Sequence, residues 1–581
     1  MADDEAPARV PTLEDLQHWT YVMGRAQQMM MEHFTDRLAG AAPQREGKGK
    51  AEWPDPAGAW RGQMELWAQG MAFWQRMLTG EAFDEETRER ADRDRRFSAP
   101  QWRDNPLFDT IRQSYLLIAD KLLGGVDEIE GLDEESREQM RFATGAFVDA
   151  MSPANFAFTN PLVIERTLET RGENLLKGLK HMLDDLAKGQ LTHTDPEAFE
   201  IGRNIATTPG KVVARTPLYE LIQYSPTTGE VFEIPLIIFP PWINRFYILD
   251  LNPRKSFVRW AVGQGLTVFM LSWKSADDSL AGVTMDDYVR AQREAIETVR
   301  EALDVEAVNV VGYCVAGTTL AATLAWLAAR GEAGKIGSAT FLTAQVDFSE
   351  AGDLKFFTSD EHLSLIEQLT ADSGTLDGRY MAATFNMLRG RDLIWNYVVN
   401  NYLMGEDYPL FDLLHWNGDT TNLPAAWHRA YIRELYRENR LVEPGGVEVD
   451  GVPIDLGRVE TPAYVQAGRE DHIAPPQSVW KLTRHFSGPV RFLLAGSGHI
   501  AGVVNPPEAR KYQYWTCDEP AQSLEEFIDR AQEHPGSWWP DWLEWVAAKS
   551  GAKVPAKGAR MPGKGKLEAI EDAPGSYVRM R

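Results

Sequence analysis

The chain has 581 residues, 44% of them hydrophobic, and a formal net charge of −25. That length predicts two to four domains with a substantial core, and the acidic balance argues against a general nucleic-acid binder. Only two cysteines occur, Cys314 and Cys517, which excludes a disulfide framework and fits a reducing compartment.

The opening Met-Ala-Asp-Asp-Glu-Ala-Pro is acidic and lacks an apolar run, so no signal peptide is expected. No stretch of 18 or more apolar residues occurs, so no transmembrane segment is expected and a soluble, cytoplasmic chain is the default reading. Residues 1–50 are polar and read as a flexible arm. Residues 51–200 read as a helical N-terminal domain. There Met64, Trp67, Met71, Trp74 and Leu78 step by three and four along one helix face, as in a core or subunit contact, or a face that meets a hydrophobic product. Two prolines between Met151 and Pro161 break the helical pattern and predict an irregular segment.

From 201 to 581 the texture is of strands alternating with helices. Leu218–Tyr224 and Val231–Phe239, joined by a turn at Pro226–Gly229, read as a strand pair. Leu266–Trp273 is the next strand. Asp286–Leu303 is predicted helical, with Tyr288, Ala291, Ala295, Val299 and Leu303 on one face. Ala307–Val311, Ser338–Val346, Thr461–Ala467 and Pro489–Leu494 complete the strands. Such alternation implies a mostly parallel sheet covered on both faces. Residues 350–440, rich in Trp, Tyr, Asn and Leu, interrupt the sheet and read as a cap, or lid, in which Trp395, Tyr402 and Trp416 are candidates for excluding water. Residues 549–581 carry eight Lys/Arg against three acids. This basic tail reads as solvated, or as a contact for an anionic ligand or particle surface.

The most informative residues are Gly312-Tyr-Cys-Val-Ala-Gly-Thr318, between the strand ending at Val311 and the Ala-rich helical stretch Leu320–Ala329. Strand, Gly-x-Cys-x-small-Gly, then helix is a nucleophile elbow with Cys in place of Ser. The helix N-terminus favours thiolate over thiol, and the pattern points to acyl transfer through a covalent thioester. A base and an orienting acid are then needed. His499 follows the strand ending at Leu494, and Asp471 follows the strand ending at Ala467. The chain order nucleophile, acid, His is that of the α/β-hydrolase fold, so Cys314, Asp471 and His499 are the candidate catalytic residues. His472 is the rival base. Cys517, beside two acids and with no elbow, reads as inert. Backbone N–H groups for an oxyanion hole are expected from Val315 and from Trp242 or Ile243, because Pro240 and Pro241 have none. There is no Walker loop, dinucleotide fingerprint or zinc-spaced cluster, so no metal or nucleotide cofactor is implied.

These residues closely resemble the polyhydroxyalkanoate synthases, and among them the long single-subunit type I enzymes. The resemblance is carried by Asn204–Val213, Pro240–Leu251, Gly312–Thr318, Gly468–Ile473, Ser497–Pro507 and Ala573–Arg579. It implies polymerisation of (R)-3-hydroxyacyl-CoA, with 3-hydroxybutyryl-CoA the expected monomer, into polyester with release of CoA. It assigns Cys314 as nucleophile, Asp471 as acid and His499 as base. It also implies a homodimer, a mobile cap and association with polyester granules in the cytoplasm. Two departures stand out: Ala316 where the family usually has a second Gly, and a looser match at Leu271–Asp277. The rival readings are a cysteine thioesterase or polyester depolymerase on the same fold, and a granule-coating protein.

Overall fold

The computed structural model describes residues 85–129 and 131–581. The arm at 1–50 and the stripe from Met64 to Leu78 lie outside the described residues. The chain divides into two compact units: residues up to Leu191 with Arg389–Tyr408, and Thr192–Leu388 with Pro409–Arg581.

The first unit is helical. Its main helices are α1 (Pro106–Asp127), α2 (Glu134–Ala150), α3 (Pro161–Glu169) and α4 (Glu173–Lys188). The starts of α1, α2 and α3 are set by side-chain caps from Asn105, Asp133 and Asn160, with proline at the first position of α1 and α3. The break predicted between Met151 and Pro161 is a short helical turn at Pro153–Asn155 followed by a second turn closed by Thr159 and Asn160 N–H on the Phe156 carbonyl. Arg389–Tyr408 joins this unit through buried polar contacts. Asn174 Nδ2 donates to the Leu403 carbonyl at 2.7 Å, and the Tyr402 hydroxyl donates to Asp185 at 2.7 Å. The stretch expected to act as one cap, 350–440, therefore divides between the units. Trp395 and Tyr402 belong to the helical one.

The second unit is built on an eleven-stranded sheet. In chain order its strands are β1 (Gly210–Arg215), β2 (Tyr219–Tyr224), β3 (Leu236–Phe239), β4 (Val268–Trp273), β5 (Val308–Tyr313), β6 (Ile336–Leu342), β7 (Ala463–Gly468), β8 (Val490–Ala495), β9 (Gln513–Thr516), β10 (Gln532–Pro535) and β11 (Glu571–Asp572). They lie in the order β10-β9-β8-β7-β6-β5-β3-β4-β2-β1-β11. The six from β8 to β4 are parallel, and the strands outside them are antiparallel. All residues of β4, β5 and β7 are buried, as a sheet covered on both faces requires. Alternate side chains feed two cores: Ile237, Val310 and Phe341 enter one, Ile238, Val311 and Leu342 the other.

Helix α5 (Met285–Leu303) buries Tyr288, Ala291, Ala295, Val299 and Leu303, the face read from the sequence, and begins at a capping box of Thr284 and Asp287. The expected hairpin of 218–224 with 231–239 does not form. β2 pairs with β1 and β4, and Glu230–Phe232 pairs with Lys553–Pro555. The apolar run breaks at Glu233–Pro235, where Glu233 and Ile234 donate to the carbonyls of Ala552 and Ser550 and Pro235 has no N–H to extend a ladder. The basic stretch 549–581 is likewise no free tail. It supplies those pairings and β11, and it buries Tyr577 and Val578. No helix of the described residues is long and apolar enough to cross a membrane.

Candidate active site

Cys314 stands between β5 and helix α6 (Val315–Ala329) with φ 52° and ψ −128°, a conformation rarely adopted by a residue with a side chain. The turn is held by Cys314 N–H donating to Leu342 O at 2.9 Å and Gly317 N–H donating to Cys314 O at 2.8 Å. Its tightness rests on two glycines. A Cβ at Gly312 would come 2.5 Å from the Gly317 Cα, and one at Gly317 would come 2.4 Å from the Ala344 Cβ. The strand end and the helix start therefore touch backbone to backbone, and this aims Cys314 off the strand end. Ala316 is fully buried, and its carbonyl accepts from Gln292.

β7 and β8 end side by side and deliver the acid and the imidazole. His499 Nδ1 donates to Asp471 Oδ2 at 2.7 Å, and Cys314 is near enough to His499 to act on its charge. The other Asp471 oxygen accepts the N–H groups of Ile473 and Ala474, both at 2.9 Å. The Asp471 carboxylate thus engages His499 and not its neighbour His472. Burial opposes a charge on His499. The Asp471 carboxylate and then Cys314 overcome that opposition and push its pKa up to about 10. Tyr313 packs its ring on His499 at 5.8 Å between centroids and donates its hydroxyl to the His499 carbonyl.

Val315 heads α6, where a backbone N–H has no intrahelical acceptor. Ile243 lines the same pocket as Cys314. The Trp242 side chain is buried, stacked on Tyr288 at 3.8 Å. The carbonyls of Trp242 and Ile243 both accept from the Thr421 hydroxyl, which anchors this loop.

Cys314 opens into a pocket of about 240 Å³. Its wall comes largely from the segment inserted between β6 and β7: α7 (Asp360–Thr370), α8 (Gly378–Leu388), α9 (Ala425–Ala430) and the π-helical turns Tyr431–Arg437. The wider π-turn brings Tyr431 and Tyr436, five residues apart, onto one face, where their rings pack edge to face at 5.4 Å. Burial raises the Tyr436 pKa, and Tyr436 lines the same pocket as Cys314. Tyr436 also accepts from Gln345 Nε2 at 3.0 Å. Of the cap candidates, Trp416 is buried in the sheet core with its N–H on the Arg245 carbonyl, and it is not among the pocket's lining residues. Trp395 and Tyr402 lie outside the unit that holds Cys314. Cys517 donates to the Glu519 carbonyl and has no imidazole partner among the described residues. No group of three or more His, Cys, Asp or Glu among the described residues is arranged to hold a metal. Sequence reasoning missed Tyr313, His428, Tyr431 and Tyr436. The five-residue step of the tyrosines follows no α-helical period, and only the neighbourhood of Tyr313 to Cys314 carried a signal.

Residues 235–506 match the alpha/beta hydrolase fold family, which defines the class: a hydrolase-fold protein with a cysteine elbow. Residues 93–261 match the family described as the poly-beta-hydroxybutyrate polymerase (PhaC) N-terminus. The chain is 45% identical to the poly(3-hydroxyalkanoate) polymerase subunit PhaC of Rhizobium meliloti (strain 1021), over 91% of this chain and 86% of that one. It is 44% identical to the protein of that name from Cupriavidus necator, over 88% and 86%. Among solved structures, a Paleococcus ferrophilus monoacylglycerol lipase is 12% identical, covering 58% of this chain and 100% of that one at a TM-score of 0.32. The chain belongs to the poly(3-hydroxyalkanoate) polymerase family, which makes it an acyltransferase of polyester synthesis.

Proposed function

We propose that this chain polymerises (R)-3-hydroxyacyl-CoA, with 3-hydroxybutyryl-CoA the first monomer to try, through an acyl thioester on Cys314. The observation that carries this reading is the Asp471–His499 hydrogen bond beside Cys314, at the wall of a mostly apolar pocket. His499 takes the Cys314 proton, and the thiolate attacks the thioester carbonyl. The tetrahedral oxyanion is received by the N–H groups of Val315 and of Ile243 or Trp242. Collapse expels CoA, which takes the proton from His499.

The hydroxyl of the next unit then attacks the acyl-enzyme. His499 accepts its proton, the new ester forms, and Cys314 leaves as the thiolate. Acylation removes the sulfur's charge, one of the influences that keep His499 protonated, so the imidazole becomes a better base when the hydroxyl arrives. Asp471, with one oxygen on His499 and the other on two backbone N–H groups, serves as the orienting acid in this scheme. The activated CoA thioester supplies the driving force, and the scheme calls on no metal or redox cofactor. The same reading makes the chain a cytoplasmic homodimer at the surface of its polyester product. Sedimentation with and without polymer tests that part.

For the chemistry, purified protein is incubated with 3-hydroxybutyryl-CoA while thiol release and turbidity are followed, beside Cys314→Ala. Both signals rising together, and both lost in the variant, is the expected result. Thiol release from a solution that stays clear sinks the polymerase reading in favour of a thioesterase. No release with shorter or longer acyl chains favours a coating protein.

A further inference from the structure

Two imidazoles of the pocket, His362 and His428, have no part in the chemistry above, and His428 is the buried one. His428 lies on α9, its ring lines the pocket, and the residue is only 3% exposed. Its Nδ1 is enclosed by protein and meets no hydrogen-bond partner among the described residues. Buried polar atoms are nearly always paired, and this residue lines the pocket, so a ligand group entering there is the partner available to complete the set. Burial, and then the neighbouring His362, hold its pKa down to about 4. At neutral pH the ring therefore offers one N–H donor and one bare nitrogen acceptor, as a hydroxyl group does in reverse.

Two other polar groups of the pocket are already engaged. Tyr436 accepts from Gln345, and the Thr384 hydroxyl donates to the Tyr380 carbonyl. The remaining wall includes Leu354, Ile366, Leu376, Met381 and Ile432, which suit an alkyl chain. A plain acyl group would satisfy that wall and leave His428 unpaired, whereas a hydroxylated one satisfies both.

We propose that His428 is the residue that reads the hydroxyl of the acyl group, selecting hydroxyacyl over plain acyl thioesters at the Cys314 pocket. The inference rests on the acyl-CoA reading above and names the feature of the substrate that the pocket recognises. A site that pairs a substrate hydroxyl discriminates against the analogue lacking it, because the protein's own polar group is left buried and unmatched.

The test is the single-turnover burst of thiol release from 3-hydroxybutyryl-CoA and from butyryl-CoA, which can acylate Cys314 but cannot extend. The ratio of the two rates is compared in wild type, His428→Phe and His428→Gln. The expected result is a ratio in favour of the hydroxyacyl substrate that falls about tenfold in His428→Phe and recovers in part in His428→Gln, which restores a donor and an acceptor. An unchanged ratio in His428→Phe overturns the proposal, whether both rates hold or both fall together, as a merely structural role would produce. Wild-type protein that releases thiol from neither substrate overturns the acyl-CoA reading as well, a pattern distinct from an unchanged ratio.

Discussion

Gly317→Ala puts the geometry of the elbow under load. The new Cβ would lie 2.4 Å from Ala344 Cβ and 2.9 Å from the Gly312 carbonyl oxygen, where ordinary contacts are 3.4–4 Å. Neither neighbour can swing aside: one is a methyl fixed on the chain and the other is backbone. Relief therefore requires the start of α6 and the segment after β6 that carries Ala344 to part by about 1 Å, the difference between 2.4 and 3.4 Å. Overpacking of this kind costs about 1–3 kcal/mol. A displacement of about 1 Å at a reacting atom lowers rate by about 10²-fold. The assay pairs urea unfolding with CoA release from 3-hydroxybutyryl-CoA. Ala316→Gly is the control, since it costs about 1 kcal/mol of helix propensity while leaving the Gly312–Gly317 contact intact. A Gly317→Ala protein with wild-type unfolding and wild-type rate would refute the packing account of the elbow.

Asp471→Asn should lower CoA release by about 10²–10⁴-fold, read in the same assay. It should also change stability with pH. His499 is held protonated up to about 10 against an ordinary 6.5, so its stabilisation is fully present below 6.5 and fades as pH rises through 10. The stability gap between wild type and Asp471→Asn should thus be widest below 6.5 and narrow towards 10, measured by urea midpoints across pH; a flat gap would contradict this. Tyr436→Phe removes the acceptor used by the buried Gln345 Nε2 and should cost about 1–3 kcal/mol in urea unfolding. Asp419→Ala should cost about 3–5 kcal/mol, because Asp419 accepts from Tyr247 and faces the buried guanidinium of Arg245, which would keep its charge without a counter-ion.

What could be read from the sequence was what is local. The elbow declares itself within seven residues, because a tight strand-to-helix turn needs small residues at fixed offsets. α5 declares itself because one face of a 3.6-residue helix must be apolar. Asp471 and His499 are picked out by their place after strands, and the structure hydrogen-bonds them to each other, with Cys314 near enough to act on the His499 charge. Strand partners were less legible. Val231–Phe239 reads as one apolar run, yet Pro235 and two N–H bonds to 550–552 split it, and those partners lie some 300 residues away in sequence. β1 passed unnoticed as a strand because Gly-Lys-Val-Val-Ala-Arg is short and half polar. The basic C-terminal stretch looked solvated by composition, while its tie to the sheet depends on the buried Glu220, which accepts the N–H groups of Ser576 and Tyr577. The division of 350–440 turns on contacts of Leu403 and Tyr402 with α4, which no periodicity announces.

The central claim is that the acyl chain is carried on Cys314. Full-length protein is mixed with equimolar 3-hydroxybutyryl-CoA, quenched in acid within one turnover, and digested for peptide mass mapping. The account predicts a hydroxyacyl or short oligoester adduct on the peptide containing Cys314, none on the peptide containing Cys517, and neither adduct nor CoA release in Cys314→Ala. An adduct borne elsewhere, or undiminished CoA release from Cys314→Ala, would contradict it.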